Sequence, residues 1–126
     1  MERFFWICFA GALGTGTRYL VALYAGKTFG TFLPYGTFIV NVTGCFLIAA
    51  IMQAGTTLLV PPTLRLALTT GFMGGLTTYS SFNYETLRFC QEGAWGRALA
   101  NVVVTLVLCA LAGVLGLALA RRIAGS

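Results

Sequence analysis

The chain contains no histidine and no aspartate, and its only acids are Glu2, Glu85 and Glu92. Carboxylate pairs for acid–base work, Ser/His/Asp triads and imidazole metal sites therefore lack their parts. The sequence reads as a protein that is not an enzyme. Charge of either sign is scarce: 9% of the 126 residues are charged, against about 25% in an ordinary soluble domain. Cysteine pairs at metal-binding spacing are also missing. Cys8, Cys45, Cys90 and Cys109 stand far apart in or beside apolar segments, where a free cysteine behaves as a small hydrophobe.

What is there is apolar. Hydrophobic residues make up 58% of the chain and its mean hydropathy is +0.87, so most of its surface is poorly solvated by water. The fold class that follows is an all-α membrane protein lying in a lipid bilayer. The formal charge of +5 comes from eight lysines and arginines scattered along the chain. Scattered cations at the ends of spans suit membrane-interface anchors and do not form a nucleic-acid surface.

One domain, residues 1–126, holds four expected spans. They run from about Phe4 to Tyr24, Tyr35 to Val60, Thr63 to Cys90 and Trp95 to Ala120. Pro34, Pro61 and Pro62 bracket the second, as proline's missing N–H and fixed φ favour. No small-residue cleavage site follows the first apolar run, so the first span is expected to be retained. The third stretch is too long for a straight helix across a hydrocarbon core of about 30 Å. Its centre reads GFMGGLTTYSSF, and glycine and β-branched residues are weak helix formers. Two half-helices meeting near Gly75 to Tyr79 are expected, with the third helix broken mid-membrane. Freed carbonyls at such a junction suit a cation, and half-helix N-termini favour anions.

Polar residues inside the apolar stretches mark candidate sites. Asn41, in GTFIVNVTG, shares a helical face with Thr37, Gly44 and Ile48. A buried amide needs a partner, either as glue between helices or along a hydrated path. Arg18 closes GALGTGTR, within a span, where a cation faces a cavity or snorkels to the interface. Tyr79 and Phe82 stand at i and i+3, and their electropositive ring edges suit either packing or an anion. Thr105 and Cys109 form a weakly polar pair one turn apart, and Glu85 reads as a partner for a basic residue or a helix cap.

With GALGTGTR, GTFIVNVTG and GGLTTYSSF in order, the whole chain closely resembles the Fluc (CrcB) fluoride channels. The resemblance implies passive export of cytoplasmic fluoride through an antiparallel, dual-topology homodimer in the bacterial plasma (inner) membrane. It implies a fluoride pore at Asn41, Thr37, Tyr79, Phe82 and Thr105, with Arg18 at the vestibule. A structural sodium ion at the dimer centre is implied on the backbone carbonyls of Gly74 and Thr77. The family's paired aromatic box carries Tyr79 here in place of its usual first phenylalanine. Two other classes remain to be weighed. A proton-coupled small multidrug transporter needs a carboxylate within its first span, and Glu2 lies outside it. A structural membrane subunit gives no reason for the polar break.

The basic residues bear on orientation. Arg3, Arg65, Arg121 and Arg122 fall on one side and Lys27, Arg88 and Arg97 on the other, with Arg18 leaning toward the second. A lysine and arginine excess normally sets topology, and here there is almost none. A C-terminal reporter is expected to read both sides of the membrane, and two added lysines at one end should shift the population one way. A wild-type population found in one orientation alone would contradict dual insertion.

Overall fold

A computed structural model describes residues 1–125. The described residues form helices α1 (Glu2–Phe29), α2 (Tyr35–Thr57), α3 (Pro62–Leu66), α4 (Gly74–Leu76), α5 (Tyr79–Gln91) and α6 (Trp95–Ala124). A π-helical segment, Ala67–Met73, joins α3 to α4. Among the described residues α2 and α6 are long and apolar enough to cross a membrane by length and composition.

Helix ends follow local chemistry. Gly30 terminates α1 at φ 83° and ψ −164°, a positive-φ conformation that glycine adopts without a Cβ penalty, and its N–H bonds the Gly26 carbonyl. Leu58 turns extended at the end of α2, ahead of Pro61 and Pro62. Pro62 then opens α3, where a missing N–H costs nothing. Gly93, at φ 73°, turns the chain between α5 and α6. The helices outrun several of the apolar stretches expected from sequence: α1 reaches Phe29 and α6 reaches Ala124. Lys27 and Arg121 lie in those extensions, and such side chains propagate a helix as readily as apolar ones.

Two kinds of packing hold the elements together. Glycines bring α1 against the π-helical segment and α4 at backbone distance. A Cβ on Gly71 would sit 2.7 Å from the Ile7 carbonyl oxygen, and Cβ atoms on Gly14 and Gly75 would collide with the carbonyls of Phe72 and Gly11. Small residues that let backbones approach are the usual basis of helix association in lipid. Helices α2 and α6 run in the same direction and pack along their length. Gly116 lies against the Phe46 carbonyl, Gly113 lies near that of Cys45, and Phe38 shares a small cavity with Asn101 and Thr105. The buried centre is Val40, Met73 and Leu76, with Val21, Leu47, Ile51 and Phe72 around it.

At one end of the bundle Arg97 of α6 ties the connection between α1 and α2 to α5. Its guanidinium lies 4.8 Å from the Phe32 ring centre and 5.0 Å from that of Phe89. It also donates to the Phe32 carbonyl at 3.3 Å. Phe89 beneath it is almost fully buried. Elsewhere the outer surface is apolar: Leu106, Val107, Leu111 and Leu115 of α6 are all exposed. A contiguous apolar surface of that extent marks a membrane or partner contact.

The α1 glycines differ sharply in their surroundings, which yields a paired test. Gly14→Ala drives a methyl into backbone and is expected to cost about 1–3 kcal/mol by overpacking. Gly16, with nothing within 4 Å of its Cβ position, should accept alanine without loss. Thermal unfolding of the detergent-solubilised protein, followed by circular dichroism, separates the two. Equal midpoints would show that the α1 contact does not limit stability.

Candidate functional site

The helical path between Ala67 and Gln91 is interrupted at two residues. Thr77 (φ −83°, ψ 153°) and Thr78 (φ −152°, ψ 115°) are extended, and α5 begins at Tyr79. Such an interruption strands backbone donors and acceptors, each of which needs a partner when buried. Most of them find one. Thr78 N–H donates to Asn41 Oδ1 at 2.8 Å, and Asn41 Nδ2 donates back to the Thr78 carbonyl at 3.1 Å. The amide of Asn41 thus pairs with Thr78 as a neighbouring strand would. Thr78 also caps α5, its Oγ1 accepting from Ser81 N–H at 3.2 Å. Arg18 Nε donates to the Gly75 carbonyl at 3.1 Å. Thr77 N–H and Oγ1 both donate to the Met73 carbonyl.

The carbonyls of Gly74 and Thr77 are among those left over. In a continuous helix Thr78 N–H would serve Gly74 and Ser81 N–H would serve Thr77. Those donors go to Asn41 Oδ1 and Thr78 Oγ1 instead. Both residues line an open cavity of about 720 Å³ that Asn41, Tyr79, Phe82 and Thr105 also line. Six of the eight residues singled out from sequence therefore meet at one place.

The other two lie elsewhere. Thr37 donates its hydroxyl to Glu85 Oε1 at 2.7 Å. Arg18 is taken up by the Gly75 carbonyl and does not line the cavity. Within the cavity Tyr79 and Phe82 are unequal. Their ring centres are 5.7 Å apart and tilted by 59°, yet Tyr79 is 77% exposed and Phe82 only 7%.

Thr78, not Glu85, caps α5, and among the described residues no cation pairs with Glu85. One of its oxygens takes the Thr37 hydroxyl and the other, Oε2, is buried without a partner among the described residues. Nearby Asn101 Nδ2 donates to Thr86 Oγ1 at 2.9 Å, joining α6 to α5. Neither pair was legible in advance, because each joins residues on separate helices. The cap was signalled more clearly: a threonine just before a helix start, after a glycine-rich run.

An all-helical protein with lipid-scale apolar helices and a cavity that gathers Asn41, Thr77, Thr78 and Thr105 at a non-helical segment belongs among membrane proteins that handle small solutes. Comparison with known proteins narrows the class. Residues 5–117 match the family described as "CrcB-like protein, Camphor Resistance (CrcB)", and the chain belongs to that family. A Sorangium cellulosum (strain So ce56) protein named "Fluoride-specific ion channel FluC" is 55% identical over 98% of both chains. Another of that name, from Anaeromyxobacter sp. (strain K), is 48% identical over 99% of this chain and 100% of its own length. A third, from Citrifermentans bemidjiense (strain ATCC BAA-1014 / DSM 16622 / JCM 12645 / Bem), is 44% identical over 98% of this chain and 100% of its own.

The bonds at Thr78 rank two substitutions. Thr78→Ala removes a helix cap and is expected to cost about 0.5–2 kcal/mol. Asn41→Ala should cost more, because it strands the buried N–H of Thr78, at about 1–3 kcal/mol, and also takes a second donor from the Thr78 carbonyl. Thermal midpoints of the purified variants check the order. A milder loss for Asn41→Ala would remove Asn41 from its place as the partner of the extended segment.

Proposed function

We propose that this chain forms a fluoride-selective channel that exports cytoplasmic fluoride passively and so protects the cell from fluoride toxicity. The observation that carries the reading is near-full-length similarity, up to 55% identity, to proteins named as fluoride-specific ion channels. The cavity supports it chemically. Fluoride is small and strongly hydrated, so a pore must exchange water for fixed donors. One N–H of Asn41 is held by Thr78, which leaves the second to an anion in the cavity. Thr105 adds a hydroxyl, and the rings of Phe82 and Tyr79 add electropositive edges. Thr37 and Arg18 belong to the same path in this reading, Thr37 through its bond to Glu85 and Arg18 as a cation near the cavity wall.

The flow is downhill. Hydrogen fluoride enters a cell as a neutral acid and dissociates there, and an inside-negative potential drives the anion out. No bond other than a hydrogen bond changes, and no catalytic residue is required.

The working unit in this reading is an antiparallel homodimer of dual topology, with four spans per chain in the bacterial inner membrane. The third span carries its interruption at Thr77 and Thr78. Its apolar outer face and open cavity support a second copy as the missing wall. A sodium ion fits the same scheme. The carbonyls of Gly74 and Thr77 have lost their helical donors, and hard cations take oxygen ligands. Two carbonyls are too few for a cation, and a second copy would double them. Bound there, sodium would supply positive charge that holds four backbone dipoles together.

Liposomes holding the purified protein, loaded with potassium fluoride and treated with valinomycin, should release fluoride rapidly and chloride far more slowly. Thr105→Val should slow fluoride release while the protein elutes unchanged on gel filtration. Equal rates for the two anions, or none for fluoride from folded protein, would overturn the reading.

A further inference from the structure

We propose that Cys45 and Cys109 form a two-coordinate site for a soft metal ion, and that mercuric ion bound there closes the path through the cavity. Each thiol stands one helical turn beyond a cavity-lining polar residue: Cys45 beyond Asn41 on α2, Cys109 beyond Thr105 on α6. Both cysteines line the cavity themselves and both are unpaired and partly accessible. The parallel register of α2 and α6 brings them together. Gly113, one turn past Cys109, has its Cβ position 3.8 Å from the Cys45 carbonyl oxygen.

Ligand chemistry selects the ion. Thiolates prefer soft metals. Zinc takes four ligands, and among the described residues no group of three or more His, Cys, Asp or Glu side chains forms. A linear dithiolate suits Hg²⁺: two thiols bind one ion and release two protons, Hg²⁺ + 2 R–SH → Hg(SR)₂ + 2 H⁺. The product carries no net charge, whereas the dithiolate of a monovalent soft ion would leave a negative charge in an apolar wall, at high cost. The bound ion bridges α2 to α6 one turn from Asn41 and Thr105. Closure of the path rests on the fluoride reading above, but binding does not.

The test uses Cys8→Ser/Cys90→Ser as parent, so that only the two cavity thiols remain. Native mass spectrometry with Hg²⁺ is expected to show one ion per chain, with both thiols protected from alkylation together. Cys45→Ser and Cys109→Ser, each in the parent, should weaken binding by more than the ~10–100-fold that even an outer-shell partner is worth. Alanine at either position gives a second variant should serine disturb folding. In liposomes Hg²⁺ should bring fluoride release by the parent to the protein-free level, with recovery in excess dithiothreitol. The Cys45→Ser/Cys109→Ser protein, whatever its own rate, should not respond. Two ions per parent chain, or undiminished affinity in the single variants, would overturn the site. One ion bound with unchanged release would overturn the closure. A parent that releases no fluoride before metal is added would instead count against the channel reading, with the mass data still deciding the site.

Discussion

The pair of hydrogen bonds between Asn41 and Thr78 is the constraint on which the centre of the molecule turns. A membrane interior has no water to satisfy backbone groups released by an interrupted helix. One side chain here supplies both an acceptor and a donor, at 2.8 and 3.1 Å, to one extended residue. Because Thr78 is held from α2, its hydroxyl is free to cap α5, and α5 can start in a new direction. The same diversion of Thr78 N–H leaves the Gly74 carbonyl without its helical donor. A structural bond in one place thereby creates an unsatisfied acceptor in another, at a residue that lines the cavity.

The glycines of α1, the π-helical segment and α4 perform a second task that the Asn41 bridge requires. With Gly14, Gly71 and Gly75 at the contact, α1 lies near enough for Arg18 to reach the Gly75 carbonyl. The guanidinium occupies an acceptor that the interruption exposed, in a charge-assisted bond. Gly44 is matched in the same way to the Thr77 side chain, which would collide with any Cβ there. Close approach and interruption are thus one arrangement seen from two sides. A bulkier residue at Gly14, Gly71 or Gly75 would push against backbone at the interruption, and one at Gly44 against the Thr77 side chain.

Much was legible from the chain alone, for physical reasons that can be named. Hydropathy and scarce charge pointed to an all-helical membrane protein, since apolar helices satisfy their own backbones. The glycine- and threonine-rich run at 74–78 announced weak helix there, and the three motifs pointed to the family. The face shared by Asn41, Gly44 and Ile48 follows from helical periodicity, and all three line the cavity. Thr37, on that same face by spacing, turns to Glu85 instead. Periodicity gives a direction around a helix axis, but a partner on another helix decides what a side chain meets.

The sequence by itself determined what depends on neighbouring residues: apolar helices, their ends at glycine and proline, and the place where helix becomes weak. Tertiary structure decided what depends on residues far apart in the chain. It made Asn41 the partner of Thr78 across 37 positions, gave Arg18 to a carbonyl 57 positions away, and set Cys45 and Cys109 on the wall of one cavity. Local propensities act through a few bonded neighbours and can be read in order. Pairings of this kind follow from how close two helices come, which here the glycines between them set.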